Sequence, residues 1–263
     1  MNRRSFLSLI FCLPWIVEKA AALKGAFMIT IPSETRGLAD HGWLKSRHTF
    51  SFAEYYDPKR MGFGALRVIN DDFVAAGKGF GTHPHRDMEI ISIPLSGILK
   101  HRDSEGNYAQ IKKGEVQIMS AGTGIFHSEH NASDTDEVRF LQIWVLPKKI
   151  GIKPRYDQKT YDLKDNELTL VVSPEGTGTA VGINQDAYFS LGKLTPEGKV
   201  SYHVRQEGNG VFAFILSGTV TVNGQELKAR DAVGISETRN IDLKALTDAD
   251  ILLMEVPMMG MHA

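Results

Sequence analysis

A chain of 263 residues with 30 basic and 31 acidic side chains has a formal net charge of −1, so no global field draws it to nucleic acid or an anionic membrane. Its apolar and charged fractions, 42% and 23%, are those of a globular protein of one large or two small domains. The single cysteine, Cys12, excludes an internal disulfide and a Cys-built metal or iron–sulfur centre, so any metal must be held by imidazole and carboxylate.

Residues 1–27 read as a leader. Arg3-Arg4-Ser5-Phe6-Leu7 precedes an apolar run, Ser8 to Val17, broken by Pro14, and Ala20 to Ala22 and Gly25-Ala26 offer small-residue cleavage sites. The run is too short to span a bilayer, and the Arg-Arg-x-Phe-Leu order resembles a twin-arginine export signal. The alternative is an upstream extension ahead of a start at Met28. The first reading expects a periplasmic protein and the second a cytoplasmic one.

From Met28 onward apolar residues seldom recur at helical spacing. Short runs rich in Val, Ile, Phe and Thr alternate with Gly, Asn and Asp, as in Phe63 to Ile69, Glu89 to Leu95, Glu115 to Ser120, Val211 to Leu216 and Ile251 to Glu255. That pattern predicts an all-β sandwich or barrel. Arg139 to Leu146, apolar on both faces, predicts a strand buried between sheets. Pro147 to Arg155, with two prolines, a glycine and four cations, reads as a linker between domains at 28–146 and 156–263.

The two halves repeat. Leu95-Ser96-Gly97 recurs as Leu216-Ser217-Gly218, and Lys112 to Ser120 aligns with Lys228 to Ser236 at a spacing five residues shorter, as the tight hairpin signal Asn223-Gly224 requires. Chemistry is concentrated in one copy. His83 and His85, then His127 and Glu129, form two pairs at i, i+2, so each pair faces one side of a strand. Carried across the repeat, these positions become Val204, Gln206, Leu243 and Ala245. The second copy keeps the scaffold without the ligands.

Three imidazoles and a carboxylate suit one divalent first-row transition metal. Glu89, just past the first His pair, competes with Glu129 as the carboxylate. His130 should point away from the site, and His101, at a hairpin, should be exposed. Phe80, Phe126 and Met119 are candidates for an apolar pocket wall or for core packing.

The elements around the histidines resemble the two cupin motifs, Gly77 to Glu89 and Gly124 to Asn131. More specifically, the chain resembles the pirin family of bicupins through His48-Thr-Phe-Ser-Phe-Ala53, Tyr55-Tyr-Asp-Pro58, Met61 to Asp72, Gly79 to Glu89 and Met119 to Glu129. The resemblance covers Met28 to about Pro257 and is looser in the second half. It implies two jelly-roll β-barrels packed face to face. It implies His83, His85, His127 and Glu129 as metal ligands, with Glu89 displaced from the metal.

It further implies a metal-dependent dioxygenase that cleaves the central ring of a flavonol such as quercetin. Glu129 would be the catalytic proton acceptor. Iron(II) is the first expectation for the ion, with manganese, nickel, copper, cobalt or zinc as alternatives. The expected partners are a small aromatic substrate and dioxygen, with no direct nucleic-acid contact and no membrane span, in a monomer. The alternatives are a metal-dependent regulatory protein with a protein partner, or another cupin oxygenase or isomerase.

Overall fold

The computed structural model describes residues 26–258; the twin-arginine-like pattern and its cleavage sites lie outside the described residues. Among the described residues, twenty-two strands form four sheets. The large sheet of the first lobe has the spatial order β12 (Arg155–Thr160), β9 (Glu115–Ser120), β6 (Glu89–Ser96), β11 (Val138–Val145), β4 (Leu66–Val74), β3 (Leu44–His48) and β2 (Gly37–Asp40). Its small sheet runs β5 (Gly79–His85), β10 (Ile125–Asn131), β7 (Ile98–Asp103) and β8 (Tyr108–Lys112).

The large sheet of the second lobe runs β1 (Phe27–Ile31), β20 (Ala232–Ser236), β17 (Asn209–Ser217), β22 (Ala249–Pro257), β15 (Tyr188–Leu194), β13 (Glu167–Ser173) and β14 (Val181–Gly182). Its small sheet runs β16 (Lys199–His203), β21 (Asn240–Ala245), β18 (Thr219–Val222) and β19 (Gln225–Lys228).

The expectation of two closed jelly-roll barrels is overturned. Among the described residues each sheet runs from one edge strand to another, and no sheet pairs its two edges. A barrel requires that last pairing. Here the fold is all-β and cupin-like with two lobes, each an open seven-stranded sheet facing an open four-stranded one. One outer edge of each large sheet is covered by a strand lent from the other half of the sequence. β1 pairs antiparallel with β20, and β12 pairs antiparallel with β9. The exchange is reciprocal, because β9 and β20 are the strands the internal repeat aligns. Arg155, the last residue of the expected linker, already belongs to β12, and Phe27, the last residue of the expected leader, opens β1.

Alternation along the strands of the first large sheet sends the two faces to different tasks. Ile91, Ile93, Ile118, Leu141 and Ile143 face the other lobe, where they pack with Phe189, Phe212, Phe214, Leu252 and Met254 in one core. The opposite face carries a polar row formed by direct cross-strand pairing: Gln117 opposite Ser92, Ser92 opposite Gln142, Gln142 opposite Asn70, and Asn70 opposite His48. That row lies under the small sheet of the first lobe. The Leu-Ser-Gly repeat has a physical counterpart. Gly97 and Gly218 have φ of +73° and +76°, and a Cβ at either would press on backbone, 2.9 Å from the Glu137 carbonyl oxygen or 2.1 Å from that of Asp248.

Candidate metal centre

β5 and β10 pair antiparallel with His127 opposite His83 and Ile125 opposite His85. The ring centroids of His83 and His127 are 4.4 Å apart, and His85 lies 4.9 Å from each. One ligand nitrogen from each of the three lies within 4.8 Å of the others. The register shifts between His127 and Glu129, a bulge that re-aims the carboxylate relative to the histidines. Glu129 falls in a second, overlapping group with His127 and His101.

Two of the three imidazoles are held in the form a metal needs. The His83 Nδ1 lies 2.7 Å from the Gly81 carbonyl oxygen. A carbonyl only accepts, so Nδ1 carries a proton and Nε2 is the nitrogen left for a ligand. Burial pushes the His85 pKa down to about 4 and that of His127 to about 2, with the neighbouring histidines adding to the shift. His127 is 2% exposed, and among the described residues neither of its ring nitrogens has a hydrogen-bond partner. A fully buried imidazole with two idle nitrogens is costly unless something coordinates it. These donors therefore fit a divalent transition metal.

Glu129 is buried beneath them. Its Oε2 accepts from the Gln142 amide at 2.7 Å, and the Ser92 hydroxyl lies 3.2 Å from Oε1 and 2.8 Å from the Gln142 Oε1. Desolvation pushes the Glu129 pKa up to about 7 against the pull of those two donors. The two polar residues come from the large sheet and had no signal in the local sequence. Only the cross-sheet pairing identifies them.

Glu89 does not enter either group. It accepts from the Ser120 hydroxyl at 2.8 Å and the Asn184 backbone amide at 3.1 Å, with Arg155 at 3.8 Å. It anchors the two lobes to each other. His130 is exposed, as alternation required. His101 is not exposed as its hairpin position suggested. It is 1% exposed, opposite Glu129 on β7, with Nε2 3.1 Å from the Asp103 carboxylate. Asp103 is a pure acceptor when ionised, so Nε2 donates, and Nδ1 is buried with no hydrogen-bond partner among the described residues. A hairpin position says where the chain turns, whereas burial here comes from Tyr156 on the lent strand β12, whose ring packs 4.9 Å from that of His101.

A cavity of about 570 Å³ opens beside the histidines, bounded by His83, His85 and Glu129. Its apolar wall includes Leu44, Phe52, Tyr55, Phe80 and Trp144, and its polar wall His48, Asn70 and Asp72. Trp144 stands edge-on to His85 at 4.9 Å and to Phe52 at 5.3 Å. Of the three wall candidates from sequence, Phe80 lines the cavity, Met119 is fully buried in a core cluster, and Phe126 is 55% exposed. Of the corresponding positions in the second lobe, Leu243, Ala245 and Val204 sit in an apolar core with Tyr202, and Gln206 is exposed.

Comparison with known proteins agrees with this geometry. A family model described as Pirin matches residues 32–145, and one described as Quercetinase C-terminal cupin domain matches residues 170–256. A quercetin 2,3-dioxygenase of Escherichia coli strain K12 is 45% identical over 222 residues, covering 84% of this chain and 95% of that protein. A pirin-like protein of Caulobacter vibrioides is 40% identical over 227 residues, covering 85% and 97%. The crystal structure of the bacterial pirin YhhW from E. coli in complex with nickel(II) matches with a TM-score of 0.85 at 42% identity, over 89% of this chain and 100% of that one. With matches of this extent at both ends of the described chain, the protein belongs to the pirin family.

Proposed function

We propose that the protein is a metal-dependent dioxygenase that opens the central ring of a flavonol such as quercetin, with His83, His85, His127 and Glu129 holding the ion. The observation that carries this reading is a cluster of three converging imidazoles, one of them buried with no hydrogen-bond partner among the described residues, beside a carboxylate at the edge of a cavity of about 570 Å³ with aromatic walls. That volume lies within the roughly 300–1,000 Å³ of small-molecule sites. The relatives named quercetin 2,3-dioxygenase support the substrate class. Iron(II) is the ion we expect first, and the nickel(II) complex of the E. coli pirin makes nickel the first alternative.

The bound ion would supply Lewis acidity toward a phenolic oxygen and a place for dioxygen. The chain supplies the rest. Trp144, Phe52 and Phe80 offer flat apolar surface to the substrate rings and exclude water from them. Glu129, with a pKa near 7, can take the proton of the flavonol 3-hydroxyl at neutral pH. The Gln142 amide and Ser92 hydroxyl hold that carboxylate in place before and after the transfer. Flavonol plus dioxygen gives a depside and carbon monoxide, which balances without an external electron donor.

The test is anaerobic reconstitution with iron(II), manganese, nickel or copper, followed by quercetin and air. Loss of flavonol absorbance with carbon monoxide release, abolished in His83→Ala, is the expected result. A metal-replete protein that binds quercetin and never consumes it would refute the proposal.

A further inference from the structure

Asp72 is the polar group of the cavity that the chemistry above leaves unused. It sits on β4, directly opposite Ser46 of β3 and Phe140 of β11, one residue row along the sheet from the Gln142–Asn70–His48 row. It is 4% exposed and lines the same cavity as His83, His85 and Glu129. Ser46 hydrogen-bonds to it, yet its Oδ1 has no partner among the described residues. The charged groups that act on it, Glu129 and Asp71, both carry its own sign.

A buried carboxyl with an idle oxygen and no cation is destabilising on its own. Asn70 and His48, by contrast, occupy each other, Nδ1 to Oδ1 at 2.7 Å. Asp72 is thus a carboxyl without a counter-charge in the polar wall of a cavity whose other side is aromatic.

We infer that Asp72 selects the substrate, its carboxyl group at the cavity wall receiving the O–H of a phenolic hydroxyl on a ring remote from the one held at the histidines. This rests on the flavonol reading above and narrows it to planar aromatics carrying at least two separated hydroxyls. The strand geometry fits: a diagonal step from Gln142, which holds Glu129, to Asp72 spans roughly 8 Å. That is the separation of hydroxyls on two fused or linked rings. Burial pushes the Asp72 pKa up to about 7, so at neutral pH the carboxyl can meet a phenol as acceptor or as donor. A short O–H···O bond to such a group is among the stronger neutral-ligand contacts a site can make.

The experiment measures anaerobic affinities of the metal-loaded protein for 3-hydroxyflavone, galangin, kaempferol and quercetin, which differ by added ring hydroxyls. They are followed by the ligands' own absorbance, in wild type, Asp72→Ala and Asp72→Asn. In wild type at least one added hydroxyl should tighten binding about tenfold, as a hydrogen bond to a charged group does. Asp72→Ala should erase that gain relative to 3-hydroxyflavone. Asp72→Asn, which keeps an accepting oxygen and the side-chain volume, should retain part of it and melt no lower than wild type.

A gain that survives in both variants, or a weakening equal for all four ligands, overturns the assignment. So does the absence of any hydroxyl-dependent gain in wild type. A wild type that binds none of the four overturns the flavonol reading itself, and is told apart by needing no variant.

Discussion

Glu129 is an acid whose surroundings have moved it to neutrality. It is 2% exposed, and burial outweighs its two hydrogen bonds, so the carboxyl holds its proton up to about pH 7. His85 and His127 beside it are shifted the other way and have no proton to lose near neutrality. A cation that binds Glu129 beside them must therefore displace its proton below about pH 7. Apparent metal affinity should fall about tenfold per unit as pH drops below 7, with a slope of one. Calorimetry in two buffers of different ionisation enthalpy would count the protons released. A count near zero at pH 6 would show that the imidazoles alone hold the ion.

The Gln142 amide is the shorter of the two hydrogen bonds to this carboxylate. Gln142→Leu should leave the fold intact and reduce metal affinity or turnover about 10–100-fold, the usual effect of losing a group that orients a ligand. Metal titration together with steady-state turnover checks it. The histidine pairs were legible in the sequence, because a strand's two-residue period converts spacing into a common face. Gln142, Ser92, Asn70 and Asp72 were not, because they reach the site from strands of the other sheet, a placement that no spacing along one strand encodes. Glu89 shows the same limit from the other side. Its proximity in sequence to the histidines made it a candidate, and its contacts with Ser120, Asn184 and Arg155 take it elsewhere.

At the level of strands, the site depends on how closely β5 approaches β10. Gly79 permits that approach, since a Cβ there would stand 2.3 Å from the Glu129 carbonyl oxygen and 2.5 Å from the His130 Cα. Neither backbone atom can yield without moving β10. Gly79→Ala should push the two strands apart, at a cost of about 1–3 kcal/mol in stability. It should also weaken metal binding by more than tenfold while far-ultraviolet circular dichroism stays unchanged. Unaltered metal affinity would mean that the histidines are positioned independently of this crossing.

The internal repeat announced in advance that two similar lobes would form, and the strands carry it out. The reciprocal lending of β1 and β12 was hidden. A strand's alternation fixes which face is apolar but is silent on which sheet edge it joins. The same silence explains the missed closure. Counting strands cannot show that each large sheet spends one edge on a strand from the other half instead of on its own partner sheet. It follows that residues 28–146 produced alone would lack β12 and expose the outer edge of β9, Glu115 to Ser120. An open edge of that length invites pairing with other chains. The fragment should aggregate, and co-expression with residues 147–258 should restore soluble material. A soluble, monomeric fragment with a native-like spectrum would refute this.

For the molecule as a whole, the main core lies between the two lobes, and its residues come from both halves of the sequence. Phe212 of the second half is 1% exposed and packs its ring 5.5 Å from Phe50 and 5.6 Å from Phe63 of the first half. Arg36 and Arg230, from opposite ends of the chain, both reach Asp71, at 3.4 Å and 3.7 Å. With strands exchanged in both directions and a shared core, neither lobe has a boundary along which it could open without the other. The two halves should therefore melt in one transition, although the sequence divides them at a proline-rich segment. Phe212→Ala removes the ring on which both halves converge and should cost about 3–5 kcal/mol, as large-to-small changes in a packed core do. Scanning calorimetry should show a single endotherm shifted down as a unit. Because β4, β6 and β11 present one face to this core and the other to the histidine cluster, the loss of bound metal and the loss of tertiary structure should coincide on heating. A second endotherm left in place by the substitution would show that the lobes unfold separately and that the core between them is only a contact surface.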